Sequence, residues 1–240
     1  MSTRYKLISR RGAVGAGVMA SEFVAVSGVA KSSNPHQPFA VACELICGQL
    51  GRMLGIPIPP GFIIDDAGVP WHVSLDFNLG GQQLPPADAA ALAAQHPRLA
   101  AGIVVFDSWI VNGDRHPGNL SYDQSTGSVH LFDHSHAFYA TPNGRHYLDA
   151  MRNRSLVQSN CVTQFVEDLV DVDFWLNRVG AVPDFMIEDS VRAAVAVGLP
   201  TADEQFCVDF LKDRRVRLRD LLRQDQAAFT RVLPALWAQF

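Results

Sequence analysis

From Phe39 to Leu54 the apolar residues fall at 39, 42, 43, 46, 50, 53 and 54, a 3.6-residue period that predicts a helix. Gly55 and the IPIPPG segment after it stop that helix. Glu44 falls off the apolar stripe, so periodicity alone assigns it to the solvated face. Ahead of the helix, residues 4–31 set short β-branched runs between glycines, and YKLI, RRGAVGAGVMAS and EFVAVSGVAK read as strands and turns. Behind it, GFIID and WHVSLDFNLGG read as strands around an Asp66-Ala67-Gly68 turn, with a hinge at Gly80-Gly81. The second half changes period. Helices are predicted over 87–95, over the nearly all-apolar 98–111, over 161–179 and 184–198, and over FCVDFLKDRRVRLRDLLRQ. The last is opened by a Thr201/Glu204 capping box, and its arginine-rich face predicts surface salt bridges. Strands followed by helices give an α+β chain: a β-rich lobe with one helix over residues 1–78, then a helical lobe over 79–240.

Composition removes several classes of function. The chain has 240 residues, enough for a sizeable core, and a net charge of −4 argues against direct nucleic-acid binding. It has no run of 18 apolar residues, so no membrane span is expected. Ser9-Arg10-Arg11 ahead of a small apolar stretch resembles a twin-arginine export signal, but Glu22 breaks the apolar run, and the cytoplasm is the expected compartment. Cys43 and Cys47, four apart on the predicted helix, suit packed thiols better than a zinc site, as no second ligand pair has matching spacing. Lysine is scarce. Only Lys6, Lys31 and Lys212 are present among 20 basic residues.

The chemistry concentrates in VVFDSWIVNGDRHPGNLSYDQSTGSVHLFDHSHAF, residues 104–138. A buried helix runs into a loop holding Asp114, Arg115, His116 and Asn119, and a later strand delivers Asp133. Asp114 is placed to orient or deprotonate an acceptor hydroxyl. Asn119, five residues on, returns a neutral oxygen to the same side, and Asp133 offers the hard oxygen ligand that Mg²⁺ prefers. Phosphoryl transfer needs such a set, since its catalysis is positioning and charge neutralisation. Gly12, Gly15 and Gly17 have a spacing that would let backbone amides approach phosphate, although a plain hairpin loop uses the same residues.

NGDRHPGN followed by LFDHSHAF resembles the D-R-H-x-x-N and D-F-G pair of phosphoinositide-type lipid kinases, and more closely the HipA-like kinases. KSSNPHQPFAVACELICGQLGRMLGIPIPP is similar to the strand lysine, turn, Glu-bearing helix and Pro-rich exit of that family, and FLKDRRVRLRDLL to its terminal helix. The resemblance covers most of residues 29–222. It implies a minimal two-lobed protein-kinase-like fold that uses ATP and Mg²⁺, with Asp114 as catalytic base, Asn119 and Asp133 as metal ligands, and Lys31 on the nucleotide phosphates paired with Glu44. Gly15 and Gly17 would cover the phosphates, and His116 would help neutralise charge at the transferring group. The implied acceptor is a protein Ser or Thr, with a regulatory partner protein. The D-F-G-like triplet is Asp133-His134-Ser135, with Ser in place of Gly.

Two other classes compete. Ser135 and a poorly formed glycine loop suit a pseudokinase or nucleotide-sensing module. His130, His134 and His136 around Asp133 suit a metal-dependent hydrolase, although alternation along one strand turns Asp133 away from His134 and His136.

Overall fold

The computed structural model describes residues 7–14, 21–77 and 86–240. Strands β1 (Leu7–Ala13) and β2 (Glu22–Val26) form an antiparallel hairpin. The next three strands, β3 (Gly28–Ser32), β4 (Gly61–Asp66) and β5 (Val69–Leu75), form an antiparallel sheet in the order β3-β5-β4. Lys31 lies opposite His72 of β5 in that register. β5 ends at Leu75, earlier than the apolar pattern suggested, and the proposed hinge glycines at 80 and 81 lie outside the described residues.

Helix α1 (Ala40–Leu54) fills the stretch that periodicity assigned to it. Gly55 closes it in the left-handed conformation at φ +81°, which glycine adopts without a Cβ penalty. The helix is apolar enough to be buried nearly all round, and this overturns the solvated position read for Glu44. Glu44 is 4% exposed, because the sheet covers one side of α1 and the helical part covers the other. Arg178 grips the far end, donating through Nε (3.1 Å) and Nη2 (2.7 Å) to the Leu54 carbonyl. That carbonyl is one of the four that a helix end leaves unpaired. At Gly51 α1 comes so close to Phe106 that a Cβ there would lie 2.9 Å from the ring.

The helical part is built from α2 (Ala89–Gln95), α3 (Pro97–Trp109), α4 (Gly144–Met151), α5 (Leu169–Gly180), α6 (Asp184–Val195) and α7 (Glu204–Gln224). A two-stranded hairpin, β6 (Leu120–Asp123) and β7 (Ser128–Leu131), sits between α3 and α4. The sequence of α3 is nearly all apolar because every residue from Ala100 to Trp109 is buried. The helix predicted over 161–179 is shorter than its pattern. Turns occupy its first part, and Asp168, whose side chain accepts from Val170 N, caps the start of α5. The Thr201/Glu204 capping box does not form, as Thr201–Asp203 is a single 3₁₀ turn and Glu204 already lies inside α7. Surface pairs along α7 match the expectation, among them Lys212–Glu188 at 2.7 Å and Arg215–Asp184 at 2.6 Å. Arg214 is the exception. It is fully buried and donates to the carbonyls of Ser108, Trp109, Met151, Arg152 and Arg154, so it ties the end of α3 to the segment after α4. All four cysteines are free.

Candidate active site

α3 delivers the chain to the site, and the turn that follows is strained. Val111 sits at φ +56°, a left-handed conformation that a β-branched residue takes only under constraint. Asp107 on the last turn of α3 organises what comes next. Its carboxylate accepts from Asn112 Nδ2 (2.8 Å), Asn160 Nδ2 (2.9 Å), Arg115 Nε (2.9 Å) and Arg115 Nη2 (3.0 Å). Arg115 is 0% exposed and uses its remaining donors on the Asn119 carbonyl (2.7 Å) and the Phe132 carbonyl (3.0 Å). One guanidinium therefore joins α3, the loop and the end of β7. A buried carboxylate and guanidinium are tolerated because the pair is bidentate and the spare donors are satisfied.

On this frame Asp114 is half-buried, and Asn119 donates through Nδ2 to its carbonyl (2.9 Å) and its carboxylate (3.3 Å). His116 is exposed and accepts from Gly118 N through Nδ1 at 3.0 Å. That bond shapes the 3₁₀ turn Pro117–Asn119, which swings Asn119 back under Asp114. Asp133 follows β7 at φ +59°, a conformation that Asp tolerates better than most residues.

Lys31 closes the arrangement from the sheet. Its ammonium lies 2.7 Å from Glu44 Oε1 and 2.8 Å from Asp133 Oδ1. Burial disfavours the Lys31 charge, but the two carboxylates outweigh it and hold the pKa above the usual lysine value. Asp133 is shifted down, since Lys31 and the Ser135 hydroxyl (2.6 Å) overcome its desolvation. Glu44 is also held below the ordinary carboxylate range against strong desolvation, by the nearness of His134 and by Lys31. His134 Nδ1 lies 3.6 Å from Glu44 Oε2, too long for a hydrogen bond, while its Nε2 is 3.0 Å from Arg115 Nη2. The His134 ring thus stands between the two buried charges.

These groups meet at a cleft of about 660 Å³. Lys31, Glu44 and Asp133 form a charged cluster in its lining, Asp76 adds a further carboxylate, and Val29, Leu75, Phe77, Leu120 and Phe132 give it an apolar stretch. The structure therefore brings together Lys31, Glu44 and Asp133, and separately links Asp114 to Asn119. Gly15 and Gly17 lie outside the described residues.

The histidines do not converge, which corrects the hydrolase alternative. His130 stacks on Phe77 (4.2 Å between centroids), His134 turns inward to Arg115, and His136 contacts Gln37. Among the described residues no three His, Cys, Asp or Glu side chains form a metal-binding cluster. Asp107, Asn160 and His134 were missed in the sequence as site-building residues. The available signal was Asp107 itself, a lone carboxylate in an apolar helix, which has to find a buried partner.

No family model matches the sequence, and no curated protein matches it by sequence. By structure the chain is similar to the Helicobacter pylori proinflammatory kinase CtkA, with a TM-score of 0.59 and 13% identity, over 95% of this chain and 96% of that one. It also aligns with Shewanella oneidensis HipA, solved with HipB and operator DNA. There the TM-score is 0.47 and the identity 13%, over 92% of this chain and 65% of that one. The chain has an α+β, kinase-like fold, similar over nearly its full length to that of CtkA.

Proposed function

We propose that this protein is a kinase that transfers the γ-phosphoryl group of ATP to a hydroxyl, with a protein Ser or Thr as acceptor. The observation that carries the proposal is the Lys31 ammonium bridging Glu44 and Asp133 in the lining of the cleft. An ammonium held there by two carboxylates is a preformed cationic site for nucleotide phosphate, and the apolar stretch beside it suits a base.

The residues divide the work in a simple way. Lys31 binds phosphate and is kept charged and in place by Glu44. Asp114 orients the acceptor hydroxyl and takes its proton as the phosphoryl group leaves, and Asn119 fixes the Asp114 carboxylate. His116 lies on the open side of the loop, where it would add positive character near the transferring group. The donors present suit Mg²⁺: among the described residues neither Asp133 Oδ2 nor Asn119 Oδ1 makes a hydrogen bond, and one carboxylate with an amide oxygen is a usual protein share of its shell. When bound, the ion neutralises phosphate charge.

The cytoplasm, where ATP is available, is the proposed compartment. Among the described residues no single helix is long and apolar enough to cross a membrane. A regulatory partner protein belongs to the same proposal.

The test is calorimetric ATP binding with and without Mg²⁺, on wild type and Asp133→Ala, followed by phosphotransfer. Metal-dependent binding that disappears in the variant, with turnover in wild type, supports a kinase. One observation favours the non-catalytic alternative: Ser135 and Lys31 both engage Asp133 Oδ1. Binding without any turnover would identify a nucleotide-sensing module, and no binding would overturn both.

A further inference from the structure

Beneath the apolar stretch of the cleft lies a hydroxyl with nothing to bond. Ser121 is 2% exposed and lines the cleft from β6. Its Oγ has no hydrogen-bond partner among the described residues. Its cross-strand neighbour His130 stacks its ring on Phe77 at 13°, and no hydrogen bond joins that imidazole to the Ser121 hydroxyl. A buried hydroxyl without a partner is unfavourable, and an alanine there would fold at least as well. The serine therefore serves something other than the packing of β6 on β7.

We propose that Ser121 is a nucleobase-recognition residue, whose hydroxyl hydrogen-bonds an edge atom of a purine ring seated in the apolar stretch of the cleft. The deduction deepens the proposed kinase function and rests on it. The lining of the cleft limits the choice of ligand. Val29, Leu75, Phe77, Leu120 and Phe132 all border it, so a flat ring placed there meets aliphatic and aromatic groups. A flat ring with polar atoms at its edge, attached to phosphates that reach Lys31, is a nucleotide. A serine hydroxyl can donate to a ring nitrogen or accept from an exocyclic amine, and rotation about its one side-chain torsion brings it to the ligand.

The experiment compares Ser121→Ala with wild type using two probes, ATP and inorganic tripolyphosphate, each with Mg²⁺, alongside the melting temperature of the ligand-free protein. The expected result is a loss of ATP affinity of about tenfold, the size of one hydrogen bond. Tripolyphosphate affinity should stay within about twofold, because that probe reaches only the Lys31 cluster, and the ligand-free variant should melt no lower than wild type, as a structural serine would not allow. Unchanged ATP affinity in the variant overturns the inference, as does a parallel loss with both probes. Failure of the underlying kinase proposal looks different, since wild type itself would then bind neither probe.

Discussion

The loop carrying Asp114 and the hairpin β1–β2 are held in opposite ways. The loop is fastened through Arg115 and Asp107 to α3, to β7 and, by way of Asn160, to the segment before α5. The hairpin pairs only with itself among the described strands, and every residue of β1 is exposed. Phe23 and Val24 of β2 are also exposed. Groups that align a hydroxyl with a phosphoryl group lose rate when displaced by an ångström, so their support is buried and charged. An element that has to let a nucleotide in and out belongs to the low-stability end of a structure. Under the proposed function, the buried and charged support suits the loop as the part that carries the chemistry.

The strongest way to break this contrast is Asp114→Asn. It keeps the side chain's shape and removes its basicity, so phosphotransfer should fall by about 10²–10⁴-fold, while the melting temperature stays near wild type. Radiolabelled ATP turnover and calorimetry report both quantities. Full turnover in the variant would remove Asp114 from the chemistry. Next comes Arg115→Met, which leaves the Asp107 carboxylate buried without its cation and should cost about 3–5 kcal/mol of stability, read by urea unfolding. A loss below about 1 kcal/mol would show that the loop is no better anchored than an average surface segment.

A pH series sharpens the picture at two buried histidines, His72 of β5 beside Lys31 and His130 of β7. Burial holds the pKa values of His72 and His130 below the ordinary histidine value of 6.5. Each therefore stays neutral in the folded chain while the unfolded chain takes up protons. Stability is full above about pH 6.5 and declines as the pH falls toward the folded-state values, by up to about 1.4 kcal/mol per unit for each group. Thermal melts between pH 7.5 and 5 should show this decline, and His72→Leu should flatten it. A slope unchanged in that variant would exclude His72 as its source. The smallest effect belongs to the hairpin: Phe23→Ser should change stability by no more than about 0.5 kcal/mol, although it alters a large aromatic side chain. A bigger loss in urea unfolding would mean the hairpin is packed after all.

Much of this was legible from the residues, for identifiable reasons. Asp114, Asn119 and Asp133 could be singled out as candidates because a loop and the following strand keep them close in sequence. Lys31 stood out by scarcity. Glu44 was misplaced by periodicity, because a stripe distinguishes faces only when one face is wet, and α1 is buried on nearly all sides. Arg115 was visible but its role was not. Its partners lie at 107, 119, 132 and 134, and spacing does not reveal that one guanidinium will meet them all. Ser121 could not have been found in the sequence, because an unpaired hydroxyl becomes a signal only once its surroundings are known. The extents of α5 and the start of α7 failed for a local reason, since isolated turns share the apolar pattern of a helix.

Gly51 has a consequence for how this chain can change over generations. A side chain at that position would press on Ile58 and on Phe106, and the Phe106 ring packs edge-on against His134 at 6.1 Å. His134 in turn separates Arg115 from Glu44. A single methyl group added to the back of α1 would thus be felt between Arg115 of the loop and Glu44 at the cleft. Most positions on that helix can exchange one apolar residue for another of similar size. Position 51 cannot drift in that way, and descendants of this sequence should keep a glycine there or change Ile58 and Phe106 with it.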